Sequence, residues 1–483
     1  MANPDRLTGL DASFLHLERG GAHMHIGSCM IFEGPAPSYE EFVAHVSSRL
    51  DRVPRYRQRI ADIPLRQGRP VWIDDAHFNI GYHLRHKALP APGDDLQLSR
   101  LCGRMFSTQL DRHKPLWEIA LVEGFSGNRH ALIAKTHHAV IDGISGVDIS
   151  AVLFDLSPNP SESPAPTAWS PKPPPSAAEL LADALLERTT APTEISRSLR
   201  ALARTPRRAV EAAVSRLGAV GSLAAAGTEP APESPLNVPI GSHRRFTWVR
   251  SDLQRVKDVK NALGGTVNDV ILATVAGALG SHLRSRGTPT RGLELRAMVP
   301  VSVRPDSDRG ALGNQVAVMW AVLPVGEPDP VRRLHLISDS MAEVKESGQA
   351  VGARALTELA GFAPQTILSQ AARLVPRQRF FNLVVTNVPG PQVPLYLLGS
   401  RLLDIFPMVP LAENQALGIA VMSYDGRLDF GLNGDWDAMA DLDLLAEDLS
   451  AALDELEQAA ARSKPRASRQ NTAASKTSDQ LGA

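Results

Sequence analysis

Apolar residues along this chain recur in two ways, at helical spacing and in short unbroken runs. Phe42, Val43, Val46 and Leu50 fall on one helical face, and Ser38 with Glu41 just ahead of them carries the signature of a capping box. Ile119-Ala120-Leu121-Val122 and Ala131-Leu132-Ile133-Ala134 are apolar runs of strand length. The second runs straight into Thr136-His137-His138, and residues 147–156 return to helical spacing. Further on, Ser251 and Gln254 form a second capping-box pattern before Leu253, Val256, Val259 and Leu263. A helix is expected from near Asn268 to Leu283, and another after Asp329 with Pro330 at its first position and Leu334, Ile337, Met341 and Val344 as its stripe. Residues 293–303, 316–325, 381–386, 402–406, 417–423 and 428–432 have strand character, and 442–456 is amphipathic.

Helices and strands thus alternate in both halves, which predicts a mixed α/β (α+β) fold in two lobes. Composition places the boundaries. Residues 157–176 hold eight prolines among Ser, Ala and Lys, and residues 229–239 are again proline-rich. The expected organisation is a first lobe at 1–156, a linker region at 157–238, a second lobe at 239–460 and a polar, disordered tail at 461–483. Inside the linker region, Ile195, Leu199, Leu202, Val210, Val214 and Leu217 face one way, with Arg197, Arg200, Arg204, Arg207, Arg208 and Arg216 around them. That segment fits either an anionic membrane surface or a solvated helix packed on the second lobe; Pro206 interrupts the pattern.

The 483 residues suffice for two or three domains, or for one large two-lobed enzyme. A formal net charge of -1 provides no global field for nucleic acid. Cys29 and Cys102 form neither a disulfide framework nor a CxxC motif, so a reducing compartment is the simpler reading. The first residues lack the apolar stretch of a secretory signal, and no apolar run reaches the ~18 residues of a spanning helix, so a soluble or peripheral protein is expected.

Candidate chemistry lies in His137-His138-Ala139-Val140-Ile141-Asp142-Gly143. Histidine suits general-base work because its free pKa lies near neutrality. Successive strand side chains point to opposite faces, so one histidine reaches a cleft while the other braces the loop. Asp142 can hold the loop by an ion pair, and Gly143 permits a backbone angle that a side chain disfavours. Alone, the run fits a catalytic loop or a packed polar pair about equally. A metal site would want further ligands at suitable spacing, and none is obvious nearby.

The run is HHxxxDG, and its surroundings resemble the bacterial wax ester synthase/diacylglycerol acyltransferases. Leu10-Asp11-Ala12-Ser13-Phe14-Leu15 with Glu18, then Met24-His25-Ile26-Gly27, resembles that family's opening. Pro115-Leu116-Trp117-Glu118 is similar to its PLW motif and Asn268-Asp269 to its ND motif. Met298-Val299-Pro300-Val301-Ser302-Val303-Arg304, Gly313-Asn314-Gln315, Thr386-Asn387-Val388-Pro389-Gly390-Pro391 and Ser423-Tyr424-Asp425-Gly426 follow in order; the family often has Ser in place of Thr386. The resemblance covers about residues 6–456 and is weakest over 157–235.

The resemblance implies two chloramphenicol-acetyltransferase-like lobes with an active-site channel between them. It implies that His138 is the general base for transfer of an acyl group from acyl-CoA, a co-substrate, to a hydroxyl of diacylglycerol or a long-chain alcohol. No cofactor and no metal are implied. Association with the cytoplasmic face of the inner membrane or with lipid inclusions follows from such apolar substrates. His137 would brace the loop, and Asp142 would pair with an arginine, for which Arg57 is the candidate; a solvated helix end is the other reading of Arg57. Asn268 would donate to the oxyanion or position substrate, with Asp269 beside it, unless the pair is a plain helix cap. Trp117 is a candidate channel residue or a core residue. Gly390 is a candidate substrate contact or a turn, and Tyr424-Asp425-Gly426 reads as a hairpin turn. Two other functions compete: a condensation-type catalyst using carrier-protein thioesters, and a non-catalytic lipid- or partner-binding homologue.

Overall fold

A computed structural model describes residues 5–66, 68–140, 153–159, 169–184, 186, 230–302, 316–346 and 380–463. Asp142, Gly143 and the basic segment 195–217 lie outside the described residues.

The first half runs α1 (Gly9–Leu17), β1 (His25–Glu33), α2 (Tyr39–Ser47), β2 (Gln58–Ala61), β3 (Val71–Asp74), the short α3 (Ile80–His83), β4 (Leu84–Ala88), α4 (Asp95–Phe106), β5 (Trp117–Phe125) and β6 (Arg129–His137). The second runs β7 (Arg244–Asp252), α5 (Leu253–Leu263), α6 (Val267–Ser285), β8 (Leu295–Ser302), β9 (Val316–Leu323), α7 (Pro330–Glu346), β10 (Leu383–Pro389), β11 (Tyr396–Leu397), β12 (Ser400–Met408), β13 (Leu417–Tyr424), β14 (Arg427–Asp435) and α8 (Leu442–Ser463).

These strands build two six-stranded sheets, in the orders β11-β12-β1-β6-β5-β4 and β7-β14-β13-β10-β8-β9. Each sheet carries its own core. Helices α5, α6, α7 and α8 bury Val256, Ile271, Leu334 and Leu449 against Leu295, Ile419 and Phe430. In the first lobe, Phe42 and Val46 of α2 meet Leu121 and Leu132 on one face, while Leu98 and Cys102 of α4 meet Ala120 and Ile133 on the other. Strands β5 and β6 are therefore covered on both sides, which is why they read as continuous apolar runs rather than alternating ones.

The Ser38/Glu41 capping box forms as expected, with Glu41 N–H donating to Ser38 Oγ at 3.2 Å. The Ser251/Gln254 box does not. Ser251 is still within β7, and Leu253 N–H at the start of α5 is taken by the Gly426 carbonyl at 2.9 Å, so the neighbouring hairpin does the capping. The linker region is more involved than its prolines imply. Leu180 and Ala184 pack on Ile63, Val71 and Ile73, and Leu236 is buried in the second core, ahead of the expected start at 239.

Strand pairing crosses between the lobes. Strand β12, from the second half, pairs antiparallel with β1, Gly27 opposite Met408 through Phe32 opposite Leu402. Trp248 of β7 stacks on Phe406 of β12, with ring centroids 4.7 Å apart. Beside them Arg250 donates to Asp404 Oδ2 at 3.1 Å and Asp95 Oδ2 at 2.7 Å. Asp429 of β14 accepts the Ile405 N–H at 2.9 Å.

Candidate active site

The site forms where β6 ends. His137 is its last residue, placed directly opposite His25, the first residue of β1. The chain then turns: His138, Ala139 and Val140 form a single 3-10 turn. Three separate sequence motifs pin that turn. The His137 N–H donates to the Leu116 carbonyl at 3.0 Å, and the His138 N–H to the Met24 carbonyl at 2.7 Å. Ala139 N–H donates to His137 Nδ1 at 3.0 Å.

The third motif is α1, whose Thr8 caps it by accepting the Asp11 N–H at 3.1 Å. Ala12 and Leu15 of α1 pack on Leu116, Ala139 and Val140. The same helix lays Phe14 flat on His138, with centroids 3.9 Å apart and planes 19° from parallel. Such a stack contributes about 0.5–1.5 kcal/mol beyond area burial and holds the imidazole at one angle. Burial pulls the His138 pKa down to about 4, against its own backbone carbonyl, which favours protonation. The ring is therefore neutral at pH 7 and ready to take a proton. Its Nδ1 is buried with no hydrogen-bond partner among the described residues.

Behind His137 lies a charge that sequence reasoning named only as part of a motif. Glu18, at the end of α1, is almost wholly buried and faces His25 Nε2 at 3.4 Å and His137 Nε2 at 3.7 Å. Arg112 closes the group, donating to Glu18 Oε2 through Nε at 3.0 Å and Nη2 at 2.6 Å. Two local signals pointed to it. Glu18 lies four residues after Phe14, on the same helical face. A carboxylate at a helix C-terminus also opposes the macrodipole, and such broken rules mark functional positions.

Other expected site residues fall elsewhere. Trp117 is a core residue and not a channel wall: it is 1% exposed, its Nε1 donates to the Tyr56 carbonyl at 2.9 Å, and His83 stacks on it at 4.6 Å. It also pairs with Thr136, so it braces the strand just before the histidines. Asp269 serves the helix. It is the third residue of α6, and its Oδ2 accepts the Thr266 N–H at 2.8 Å in a capping box. Asn268 beside it is half-buried in the first turn of α6. No described contact joins either residue to His138. Arg57 donates to Asp51 and lies 4.9 Å over the Trp169 ring, so the described partner of its guanidinium is Asp51. The expected Arg57–Asp142 pair involves a residue outside the described ones.

Gly390 makes a backbone clasp. Its N–H donates to the Ser423 carbonyl at 2.9 Å, and a Cβ there would meet that oxygen at 2.3 Å. Gln392 crosses the same gap, donating to Ser423 Oγ at 3.2 Å and accepting the Gly426 N–H at 3.1 Å. Two motifs more than thirty residues apart, one around Gly390 and one around Tyr424, are thus a single structural unit. Asp425 and Gly426, at φ 42° and 82°, make the expected two-residue hairpin turn between β13 and β14.

The two-lobed α/β fold, with an aromatic-stacked histidine at a strand end, is shared with the condensation domains, and the class of enzyme follows from the family the chain matches. The wax ester synthase/diacylglycerol acyltransferase catalytic domain matches residues 7–271, and that family's C-terminal domain matches residues 312–457. The chain belongs to this family. The probable diacylglycerol O-acyltransferase tgs1 of Mycobacterium tuberculosis is 34% identical over 93% of this chain and 95% of its own length. The probable diacylglycerol O-acyltransferase tgs2 of the same organism is 36% identical over 93% of this chain and 98% of its own. Among solved structures, the wax ester synthase/diacylglycerol acyltransferase from Marinobacter aquaeolei VT8 aligns with a TM-score of 0.66 at 28% identity, covering 94% of this chain and 100% of that one. The first condensation domain of the calcium-dependent antibiotic synthetase shares the fold, with a TM-score of 0.58 at 18% identity over 94% of this chain and 97% of that one. The chain is an acyltransferase enzyme, and the family implies acyl-CoA and an acyl acceptor as its substrates.

Proposed function

We propose that this enzyme transfers a long-chain acyl group from acyl-CoA to the free hydroxyl of diacylglycerol, and also to a long-chain alcohol, with His138 as the general base. The observation that carries the base assignment is the neutral imidazole of His138, clamped under Phe14 on a turn whose entry is held by backbone hydrogen bonds to Leu116 and Met24. The acceptor O–H gives its proton to this imidazole as its oxygen attacks the thioester carbonyl. The tetrahedral intermediate then collapses, the C–S bond breaks, and the imidazolium returns the proton to the CoA thiolate. No acyl-enzyme forms and no cofactor is needed, since the thioester supplies the driving force.

Burial makes the imidazolium unfavourable at rest. It becomes favourable only when negative charge develops beside it, so the stabilisation is specific to the transition state. Asp142 and Gly143 act as organisers of the loop. Asn268 is the candidate oxyanion donor, with the positive end of α6 behind it. The two lobes bound the channel, which limits hydrolysis of the thioester by excluding water. Both acceptors are apolar, and hydrophobic pockets discriminate weakly between similar chains, so dual use is expected. Such substrates reach a cytoplasmic enzyme from a membrane or lipid-inclusion surface, to which it binds peripherally. No single described helix is long and apolar enough to cross a membrane.

The test offers radiolabelled palmitoyl-CoA with dioleoylglycerol and with hexadecanol, following lipid product and free thiol. Ester with matched thiol is expected for both. Thiol without ester would mean hydrolysis and a different acceptor. Folded protein with no turnover on either would shift the donor to a carrier-bound thioester or the role to binding.

A further inference from the structure

Glu18 is a charge in an unusual place. Its side chain is 3% exposed, yet it terminates α1, where the helix dipole disfavours an anion. Burial would raise its pKa, but His137, His25 and Arg112 outweigh burial and hold the carboxyl well below the usual carboxylate range. Arg112 also donates to the Leu15 carbonyl at 2.9 Å, so the 107–116 loop is tied to the same helix end.

We infer that Glu18 is a positioning residue for the acyl transfer: it selects the tautomer of His137, and His137 in turn fixes the turn that presents His138. This rests on the reading of His138 as the base. The geometry runs in one direction. His137 Nδ1 accepts the Ala139 N–H at 3.0 Å, so it carries no proton, and the neutral ring keeps its proton on Nε2. That Nε2 faces Glu18 Oε2 at 3.7 Å, beyond hydrogen-bond length, so the carboxylate acts on it through its field. The opposite tautomer would set two N–H groups against each other at Ala139 and a ring lone pair against the carboxylate. Either loss frees the 3-10 turn at its first residue, which is His138 itself. The helix that Glu18 ends also carries Phe14 one turn earlier, stacked on the His138 ring. His25, opposite His137 in the sheet, has its Nε2 3.4 Å from the other carboxylate oxygen, and that nitrogen also accepts the Leu110 N–H at 3.4 Å.

The experiment compares Glu18→Gln, Glu18→Asp, His137→Gln, the Glu18→Gln/His137→Gln double variant and His138→Ala. It measures kcat and KM for palmitoyl-CoA with dioleoylglycerol, thermal unfolding, and histidine ¹⁵N shifts of the full-length protein. Glu18→Gln is expected to lose about 10²-fold in kcat, the scale of a misplaced catalytic group, with KM unchanged. Glu18→Asp should recover part of that loss. The double variant should fall no further than the worse single one, because both residues act through one path. Wild-type His137, identified by its loss in His137→Gln, should show the Nε2–H tautomer, and Glu18→Gln should shift it toward the other. Losses that multiply in the double variant, normal kcat in folded Glu18→Gln, or a wild-type Nδ1–H tautomer would each overturn the inference. The tautomer of the wild-type protein decides even if Glu18→Gln does not fold. Near-normal turnover in His138→Ala would instead remove the base assignment, and the tautomer result shows separately whether Glu18 acts on His137.

Discussion

At the scale of single residues, the environment assigns roles that residue type leaves open. His137 and His138 are neighbours with the same side chain. One accepts a backbone N–H and faces a carboxylate, while the other is stacked under Phe14 and neutral. His138→Ala should therefore lower kcat about 10²–10⁴-fold, the usual contribution of a general base, with thermal unfolding close to wild type. Near-normal turnover in that variant would remove His138 from the chemistry. Phe14→Leu keeps the bulk and loses the flat stack. Its expected signature is a fall in kcat larger than any rise in KM, since the ring orients the base and binds nothing; a pure KM effect would place Phe14 against substrate instead. Trp117 is the opposite case. A tryptophan in a recognisable motif reads as a substrate contact, but its indole N–H is spent on Tyr56 and its face on His83. Only burial separates those readings, and burial is not a property of one residue type.

Among elements, the capping boxes show what local sequence encodes well. Ser38 with Glu41 forms its box, and so does Thr266 with Asp269. Ser251 with Gln254 has a similar pattern and fails, because Ser251 remains in β7 opposite Leu428, and the start of α5 is capped instead by the Gly426 carbonyl. The hairpin that supplies it, Asp425-Gly426, was legible from the dipeptide alone. Its docking onto Gly390 was not, since that contact depends on β10 and β13 lying parallel and adjacent. The two glycines should then respond differently to alanine. Gly390→Ala drives a Cβ to 2.3 Å from the Ser423 carbonyl and should cost about 1–3 kcal/mol, as overpacking does. Gly426→Ala meets nothing within 4 Å and pays only for φ 82°, about 1 kcal/mol. Denaturant midpoints at constant slope measure both; equal losses would contradict the clasp.

For the whole molecule, buried histidines govern the response to acid. Burial holds His138, His25 and His83 at about 4 in the folded state, below the ordinary value of 6.5. Between pH 4 and 6.5 the unfolded chain therefore binds more protons, so stability rises with pH across that window and is complete above it. Asp429 opposes them. Burial first, then Asp404, pushes its carboxyl up to about 7, so the stability it contributes is present at low pH and lost as pH rises from 3.8 through 7. His23, His45, His130 and His282 are lowered by burial as well, so the histidines outnumber Asp429 and the thermal midpoint should climb from pH 4.5 to 6.5 and then level. A midpoint that fell over that range would show that these histidines are not neutral when folded.

Much of the molecule follows from the chain alone. The alternation of helix and strand, the two-lobed class and the Asp425-Gly426 hairpin are set by neighbours in sequence, where periodicity and backbone preference act directly. The rest required the fold. Glu18 and Arg112 are separated by 94 positions, and β12 leaves its own half to complete the sheet of the other. An apolar pattern states which face of an element is buried, but not what lies against it. Placing a carboxylate behind His137 is a matter of which strands and helix ends meet, and that is decided by packing over the whole chain.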